Sequence, residues 1–506
     1  MTLRRATAWD LYGAGTASLG IEGRPTTEEL PPTPDDHLLV RVEAVGLCFS
    51  DVKILTLGPE HPKLQGRDFA RDPVRLGHEV CLSVLEVGRS LRGRFHVGQR
   101  LALQPDIYRG GVSTAYGYTL PGALSDLQLI GPDVLDNEGV CYAFEAPPAL
   151  SAAAIALSEP WACVLSAYTQ RRRLEPLAGG RAWLHLSDVR RPPDGLELLA
   201  GASSLLVTVG TSASVEAARH LVERAGLPPS EPVVGPPLEG DFDDIVLCGP
   251  LTARTVHGAL QRLAARGVLA LLTDDGLDGT VPVDVGRIHY DYLAIVGTDS
   301  QDLAAAYGAA RNRCELVGGG VTVVVGAAGP MGQMHVQRAI GLDAPPRRII
   351  ALDVDDDRLA FLQRRFAPLA ESRGVSLDVV DARAEGVVAS LVEAASEGRG
   401  ADDVVMVAAS ADLVRQADTW LAPHGMLVLF AGLKRGTEVP VLLDRVPLGG
   451  AQYTGTSGST MEDHRRVVAM AAAGELDPVR SLAAVAGLAA VPDGIEALMS
   501  GRYAGK

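Results

Sequence analysis

Three segments of this chain recur about 158 residues further along. Asp243–Leu247 (DDIVL) is matched at 402–406 (DDVVM), and the apolar segments at 267–272 and 295–300 are matched at 425–430 and 453–458. Position 244 corresponds to 403, 269 to 427 and 297 to 455, so the offset stays at 158 or 159 residues. An offset this constant indicates a duplicated domain, which restricts the chain to folds that contain one unit twice.

The later copy contains a strand, a turn of small residues, a helix and a second strand, in that order. The first strand is Val321–Val325, the helical pattern covers Gln333–Ile340, and the strand at 348–352 leads into Asp353. This order is typical of a dinucleotide-binding unit of the Rossmann type, a doubly wound parallel sheet covered by helices. The candidate cofactor-binding residues are Gly326, Ala328, Gly329, Pro330, Met331, Gly332, Asp353 and Arg358.

The small residues of this turn have a physical reason. Gly329 and Gly332 let the backbone approach a pyrophosphate and let the helix pack on the strand, while the helix N-terminus offers free N–H groups to the phosphates. Asp353 can accept hydrogen bonds from ribose hydroxyls and would repel a 2'-phosphate, which favours NAD over NADP. The first glycine of the fingerprint is either Gly326, one residue early, or is replaced by Ala327.

The earlier copy lacks these features. Its first strand, at 181–186, is followed by Arg190–Asp194 (RRPPD) instead of a glycine-rich turn. Its second strand, at 204–209, has Gly210 near the place of the ribose-binding acid. We predict that this copy, residues 178–315, is a degenerate Rossmann domain that does not bind the dinucleotide in the usual way.

The segments outside the duplication have a different character. Residues 1 to about 150 contain many short strands with glycine between them, which predicts a small barrel-like β domain. Residues 151–177 have a helical pattern, and we expect the run Arg171–Arg173 to be an exposed face near the helix end. The predicted domains are 1–177, completed by 465–506, the degenerate copy at 178–315, and the NAD-binding domain at 316–464.

Composition argues against several classes of partner. A net charge of -16 does not suit a nucleic-acid or anionic-membrane surface. The six cysteines include no CxxC pair, so neither a zinc ribbon nor a redox dithiol is indicated. In a chain this long they do not form the pattern of a disulfide framework, so we expect a reducing compartment. The N-terminal Met1–Arg5 does not lead into an apolar run, and no stretch is long and apolar enough to cross a membrane, so we expect a cytoplasmic protein. Only four of the 46 lysine and arginine residues are lysine, which we interpret as a coding bias.

A possible metal site stands near the N-terminus. Cys48, His78 and Glu79 offer a thiol, an imidazole and a carboxylate within about thirty positions, and Glu159 adds a later carboxylate. These ligand types suit zinc, and a site with three protein ligands keeps one position open for a substrate oxygen. A buried cysteine or a single histidine is more often a structural residue, so the residue types alone leave both interpretations open.

The sequence motifs around these residues resemble those of the zinc-dependent medium-chain dehydrogenase/reductase family of the alcohol dehydrogenase superfamily, and most closely those of its sorbitol dehydrogenase branch. Residues 46–51 (GLCFSD) resemble the GxCxSD motif of that family, 77–79 its GHE motif, and 159–163 (EPWAC) its EPxA(C) motif. The turn at 328–336 is similar to that of L-sorbose-1-phosphate reductase-like members. The resemblance implies a GroES-like β-rich catalytic domain and two tandem Rossmann-type sheets, the first of them degenerate.

The resemblance also implies the roles of individual residues. Cys48, His78 and Glu79 would hold a catalytic zinc ion, with Glu159 as a nearby or alternating ligand. Ser50 would receive the substrate hydroxyl proton, and Lys53 stands where the family often keeps a second relay group. Residues 100–150 contain only one cysteine, so no structural zinc is expected.

The expected activity is reversible hydride transfer between NAD(H) and a small-molecule polyol, sugar or sugar phosphate, secondary alcohol to ketone. A non-catalytic protein that binds NAD, a pseudoenzyme or a regulatory binding protein, is the alternative. Tyr108, Arg109, Tyr116 and Tyr118 could line a sugar pocket or simply pack.

Members of this family commonly dimerise through the edges of their Rossmann sheets. We therefore hypothesise that the degenerate copy takes the place of a partner subunit and makes one chain an intramolecular pseudo-dimer. Whether the protein is a monomer or a homodimer stays open. Two copies whose sheet edges are not paired would contradict the hypothesis.

Overall fold

A computed structural model describes residues 4–237, 239–383 and 386–506. The chain forms two compact units. Unit 1 consists of Met1–Ser166, Gly329–Met334 and Gly458–Lys506, and unit 2 of Ala167–Ala328 and His335–Ser457. Met1–Leu3, on which the interpretation of the N-terminus partly rests, lie outside the described residues. Within the described part of the chain, no helix is long and apolar enough to cross a membrane.

Unit 1 begins with a β-rich region, as the short strands of the sequence predict. Its main sheet has five strands in the order β10-β4-β6-β7-β11, all paired antiparallel. The strands are β1 Arg4–Ala8, β2 Asp10–Leu11, β3 Thr26–Leu30, β4 Leu38–Gly46, β5 Val74–Arg75, β6 Glu79–Val87, β7 Arg100–Leu103, β8 Tyr108–Arg109, β9 Val112–Ser113, β10 Leu127–Ile130 and β11 Ala143–Glu145.

The two long strands of this sheet place the metal-site motifs. β4 and β6 pair along nearly their whole lengths, so that Gly46, at the end of β4, lies opposite Glu79, at the start of β6. Alternate residues of both strands, including Leu38, Val40 and Leu82, are buried in one apolar cluster. The helices of this region are α1 Phe49–Leu57, α2 Pro132–Leu135, α3 Ala152–Ala156 and α4 Ser158–Thr169.

Unit 2 contains one continuous sheet of twelve strands in the order β14-β13-β12-β15-β16-β18-β25-β23-β22-β19-β20-β21. Two further strands, β17 and β24, pair only with each other. The strands are β12 Arg181–Leu186, β13 Ser204–Val209, β14 Val233–Val234, β15 Phe242–Cys248, β16 Leu263–Leu272, β17 Val281–Asp284, β18 Ala294–Thr298, β19 Val321–Val325, β20 Arg348–Asp353, β21 Ser376–Asp381, β22 Ala401–Met406, β23 Leu421–Leu429, β24 Glu438–Val441 and β25 Gln452–Gly455.

Helices connect the parallel strands of both halves. They are α5 Val215–Arg224, α6 Ala253–Leu260, α7 Val285–Tyr290, α8 Leu303–Tyr307, α9 Pro330–Gly341, α10 Asp356–Ser372, α11 Val387–Ser396, α12 Ala411–Trp420 and α13 Arg445–Gly449. The chain then returns to unit 1 with α14 Met461–Ala473 and α15 Val491–Ser500. In the fully described segment between β12 and β13 there is a 3-10 helix, at 196–201, and no α-helix, so the earlier copy lacks the counterpart of α9.

The two halves of the sheet are related by a pseudo-twofold axis. Strands are parallel within each half, and the halves meet where β18 and β25 pair antiparallel, Ile295 opposite Tyr453. In the separate pair β17–β24, Pro282 lies opposite Pro440. Both pairs join residues 158 positions apart, so each residue faces its own repeat equivalent, as in an isologous contact. The pairing that the pseudo-dimer hypothesis requires is therefore present, although the expected two tandem sheets are one continuous sheet.

A repeated ion pair supports the duplication at the level of side chains. Arg173 pairs with Asp244 at 2.9 Å in the earlier copy, and Arg313 pairs with Asp403 at 2.5 Å in the later one. The remaining donors of the two guanidinium groups go to equivalent backbone carbonyl groups in the two copies. These acceptors are the carbonyls of Asp243, Glu175 and Arg266 in the earlier copy and of Asp402, Glu315 and His424 in the later one.

The expectation that Arg171–Arg173 form an exposed face is therefore wrong. Arg171 is exposed, but Arg172 is half-buried over the ring of Tyr292, 5.3 Å from its centroid. Arg173 is held by a carboxylate whose side chain is only 2% exposed. The physical reason is that a buried aspartate needs a cation, and the helical pattern gave no sign that Asp244 would be buried beside this run.

A buried histidine in unit 1 leads to a prediction about pH. His464 on α14 makes hydrogen-bond contacts with Ser158 Oγ at 2.8 Å and Gln104 Oε1 at 3.1 Å, and burial lowers its pKa to about 3. Below pH 6.5 an unfolded chain binds a proton here that the folded chain does not, so the free energy of unfolding falls as pH falls from 6.5 towards 3. We expect His464→Gln to reduce this slope by about 1.4 kcal/mol per pH unit.

The measurement is urea unfolding at pH 7, 6 and 5, in which only the slopes are compared, so that a general loss of stability in the variant does not matter. His220→Gln is the control, because this ring on α5 is 63% exposed. Equal slopes for His464→Gln and the wild type would show that His464 is not held neutral.

Candidate active site

The first motif, residues 46–51, lies at the N-terminal end of α1. Cys48 is the N-cap residue of this helix, in an extended backbone conformation, and its thiol is half-buried. Asp51, in the first turn, accepts a hydrogen bond from the Cys48 backbone N–H at 2.9 Å, which satisfies one of the free donors of the helix end. The position of the cysteine is thus fixed by the aspartate three residues later in the same motif.

Asp51 also joins the first motif to the second. Its other carboxylate oxygen accepts a hydrogen bond from the Gly77 N–H at 3.0 Å and lies 3.4 Å from His78 Nδ1. Burial by itself raises the pKa of Asp51 and lowers that of His78, but the mutual attraction of their charges outweighs it and shifts each pKa in the opposite direction. A carboxylate behind a histidine ring in this way orients the ring and makes its other nitrogen a better metal ligand.

Cys48, His78 and Glu79 come together as a possible metal centre. One potential ligand atom from each of the three residues lies within 4.8 Å of the other two. Glu79 is fully buried, and its Oε2 has no hydrogen-bond partner among the described residues. Gly46 makes room for this carboxylate, because a Cβ atom at position 46 would lie 1.9 Å from Glu79 Oε2.

These features fit a zinc ion. A buried carboxylate oxygen without a hydrogen-bond partner is costly, and a thiol, an imidazole and a carboxylate are the ligand types that zinc accepts. Three protein ligands leave a fourth position of a tetrahedral site for a substrate oxygen.

Lys506 lies at this centre and was missed in the sequence. Its ammonium group forms an ion pair with Glu79 Oε1 and donates a hydrogen bond to the Leu47 carbonyl at 3.3 Å. The Lys506 backbone is held by hydrogen bonds to Ser481 and Ala483, both at 2.8 Å. Although burial lowers the pKa of this lysine, the nearby Glu79 charge raises it above its ordinary value overall. The group is therefore a permanent cation beside a candidate zinc ligand.

Glu159, at the start of α4, is not one of the three clustered ligands. Burial raises its pKa to about 7, while the His78 charge lowers it and the Glu79 charge raises it further. The Cys163 thiol lies 3.7 Å from its Oε1. The structure thus places Glu159 within electrostatic reach of the centre and groups Glu79 with Cys48 and His78.

The predicted relay residues have different surroundings. The Ser50 side chain lies near the hydroxyl of Tyr118, whose ring centroid lies 5.9 Å from that of His78. Burial raises the pKa of Tyr118 to about 12, so this hydroxyl keeps its proton at neutral pH. Lys53 is exposed on α1. Of the four loop residues considered for a sugar pocket, Tyr118 contacts the metal-site histidine.

The cofactor turn lies between β19 and α9. Gly326 has a φ of +80°, and a Cβ atom there would lie 2.9 Å from the Ala408 nitrogen, so Gly326 is the glycine that this turn requires. Asp353 accepts hydrogen bonds from the N–H groups of Ala328 at 3.0 Å and Val354 at 2.8 Å. Its carboxylate therefore ties the turn to the end of β20.

The other candidate cofactor residues follow in order along α9 and α10. Pro330, Met331 and Gly332 form the first turn of α9, directly after Gly329. Arg358 lies in the first turn of α10, where its backbone N–H donates to the Asp355 cap at 2.9 Å. Its Nε is buried without a hydrogen-bond partner among the described residues.

Comparison with known proteins identifies relatives of the chain and of its fold. Residues 34–128 match the model of the alcohol dehydrogenase GroES-like domain. The chain is 20% identical over 488 residues to L-sorbose 1-phosphate reductase of Klebsiella pneumoniae, covering 96% of this chain and 83% of the relative. It is 31% identical over 176 residues to mannitol-1-phosphate 5-dehydrogenase of Aliivibrio fischeri, covering 34% of this chain and 42% of the relative. Its fold is similar to that of an alcohol dehydrogenase of Thermotoga maritima, with a TM-score of 0.55, 13% identity, and coverage of 99% and 98% of the two chains.

A GroES-like β-rich region and a Rossmann-type sheet are the fold of the dehydrogenases to which the chain is similar. The GroES-like domain match and these relatives support the resemblance to the zinc-type medium-chain dehydrogenase/reductase family of the alcohol dehydrogenase superfamily, and the protein is an oxidoreductase. The family resemblance and the fold class that the sequence predicts are confirmed.

Proposed function

We propose that the protein is a zinc-dependent oxidoreductase that transfers hydride between NAD(H) and a secondary alcohol of a polyol, sugar or sugar phosphate. The observation that carries the proposal is the cluster of Cys48, His78 and Glu79, with ligand atoms within 4.8 Å of one another, next to Ser50 in a GroES-like domain. The names of the two relatives support a substrate of the sugar or polyol class.

The residues of unit 1 have distinct roles in this proposal. Cys48, His78 and Glu79 would hold zinc, with Glu159 as the nearby carboxylate. When bound, zinc supplies a Lewis acid for the substrate alcohol or carbonyl oxygen. Ser50 accepts the hydrogen bond of the substrate hydroxyl and is the first group through which its proton leaves, while Tyr118, beside it, keeps its own proton.

The cofactor residues favour NAD. A carboxylate has about four positions that can accept a hydrogen bond, and the backbone N–H groups of Ala328 and Val354 use two of those on Asp353. The remaining acceptor positions suit the two ribose hydroxyls of NAD, whereas the 2'-phosphate of NADP would bring like charges together. NAD, when bound, supplies the hydride acceptor. The N-terminus of α9 and the turn from Gly326 to Gly332 would hold its pyrophosphate.

The experiment is NADH formation with a panel of polyols and polyol phosphates, with and without a zinc chelator. We expect turnover of at least one compound, its loss with the chelator and its return when zinc is added back. NADP in place of NAD is expected to lower kcat/KM by at least about tenfold, equivalent to about 1.4 kcal/mol, because its 2'-phosphate would bring like charges together at the ribose.

Asp353→Asn is the matched variant for the cofactor preference. It keeps the shape of the side chain and removes the charge. We therefore expect a smaller ratio of kcat/KM with NAD to kcat/KM with NADP. Turnover that resists the chelator would contradict the zinc role. NAD binding with no turnover on any panel member would support the non-catalytic alternative.

A further inference from the structure

The lysines of this chain are few and unevenly placed. Of the four, Lys53, Lys63 and Lys506 lie in unit 1 and only Lys434 lies in unit 2. Lys506 contacts the metal centre itself, whereas Lys53 and Lys63 lie on α1 and in the loop that follows it. The coding bias inferred from the sequence explains why lysine is rare, but it does not explain this placement.

Two aromatic rings connect these lysines to the metal centre. The Lys63 ammonium lies over the Tyr118 ring, 5.0 Å from its centroid, and the same ring lies 5.9 Å from that of His78. Tyr118 also contacts His61, with ring centroids 5.7 Å apart. Lys63 is therefore two contacts away from a candidate zinc ligand, and the two distances set an upper limit of about 11 Å between its ammonium group and the centre of the His78 ring.

His61 belongs to the same cluster through its contacts with Tyr118 and the Lys63 backbone. The His61 ring is buried and accepts a hydrogen bond from the Lys63 backbone N–H at 3.3 Å. Burial, together with the charges of both Lys53 and Lys63, lowers the pKa of His61 to about 4. The ring is therefore neutral at physiological pH and leaves the two ammonium groups as the local charges.

Neither of these ammonium groups is compensated by the protein. No carboxylate among residues 4–237, 239–383 and 386–506 forms an ion pair with Lys53 or Lys63, although neighbouring arginines of the same loop do pair, Arg67 with Asp72 and Arg71 with Asp68. On a chain with a net charge of -16, two exposed and unpaired cations make a local positive site that can attract an anion.

We infer that Lys53 and Lys63, beside Tyr118, bind the phosphate group of a phosphorylated sugar or polyol whose reacting hydroxyl lies at the metal centre. This inference rests on the proposed function and narrows its substrate class to phosphate monoesters. Two ammonium groups suit a phosphate dianion, because each can donate a charge-assisted hydrogen bond to a different oxygen. It also assigns Lys53 to substrate binding instead of the proton relay.

The test is calorimetric titration of the zinc-loaded full-length protein with hexitol phosphates, the corresponding free hexitols and inorganic phosphate. We expect at least one phosphate ester to bind about tenfold or more tightly than its free hexitol. Lys63→Met keeps the aliphatic stem over Tyr118 and removes the charge. It should weaken binding of the ester about tenfold and leave hexitol binding unchanged. Lys53→Met should weaken ester binding in the same direction, and Lys434→Met, an exposed lysine of unit 2, is the control.

The outcomes separate this inference from the proposed function. If no ester binds more tightly than its hexitol, or if Lys63→Met behaves like Lys434→Met, the phosphate site is wrong. Chelator-sensitive turnover of free polyols in that case would leave the proposed function in place. Ester binding that is lost in Lys63→Met, without NADH formation from any compound, would support the phosphate site and contradict the proposed function.

Discussion

Replacement of Cys48 by serine is expected to remove most of the bound zinc and to lower kcat/KM by about a thousandfold, equivalent to about 4 kcal/mol of transition-state stabilisation. The reason is that a hydroxyl group does not ionise near neutral pH and so cannot replace a thiolate ligand of zinc. His78 and Glu79 would then be left as two ligands, too few for a stable tetrahedral site. Zinc content by mass spectrometry and steady-state kinetics measure the two effects.

The control for this substitution is Cys141→Ser. Cys141 is a half-buried cysteine of unit 1 whose thiol donates to the Ala143 carbonyl at 3.1 Å and which is not in the metal cluster. Its replacement should leave both zinc content and kcat/KM near the wild-type values. Full zinc content in the Cys48→Ser protein would show that the ion, if present, lies elsewhere.

Lys506→Met provides the opposite perturbation of the same centre. The variant keeps all three ligands and removes a buried cation that forms an ion pair with Glu79. Because like charges repel strongly in a buried site, zinc should bind more tightly to this variant in competition with a chelator. Weaker zinc binding would instead show that Lys506 is needed to position Glu79.

The largest effect on stability is expected for the repeated ion pair of unit 2. Arg313→Met would leave Asp403 buried without its cation. Burial raises the pKa of this aspartate to about 6, which shows that its charged form is costly in this position. Loss of one partner of a buried pair, here with a partly exposed arginine, costs about 3 kcal/mol, which lowers the thermal midpoint by roughly 6–12 °C. Arg173→Met removes the equivalent partner of Asp244 and should have a similar effect.

The comparison needs an arginine of the same unit whose pair is exposed. Arg383 pairs with Asp381 at 2.8 Å, and its side chain is 54% exposed. Arg383→Met should change the thermal midpoint by no more than about 2 °C, because exposed ion pairs contribute little to stability. Equal shifts for Arg313→Met and Arg383→Met would mean that the buried pair has no special weight.

Much of this architecture can be predicted from the sequence because its signals are local. The strand, turn and helix around Gly326 are each specified by residues next to one another. The constant offset between the two copies predicts that they share a fold. The three clustered zinc-ligand candidates belong to two short motifs, 46–51 and 77–79, which can be recognised from the sequence alone.

The parts that the sequence did not predict depend on contacts between distant residues. Lys506 is 427 positions from Glu79, and no motif marks it. Arg173 was assigned to an exposed face because the burial of Asp244, 71 positions further on, has no local sign. The uneven placement of four lysines was a signal that could have been used, since a residue type that is rare throughout a chain is informative where it occurs.

The antiparallel seam between β18 and β25 gives this protein a property that two separate subunits would not have. Because both sides of the seam belong to one polypeptide, dilution cannot separate them, and each side is present at a fixed high effective concentration. A mutation at a symmetric interface appears on both sides at once, but here each side can change by itself. Ile295 and Tyr453 face each other as repeat equivalents and already differ, whereas Pro282 and Pro440 are still the same. The half without the glycine-rich turn is thus free to accumulate changes that the half with the turn cannot tolerate.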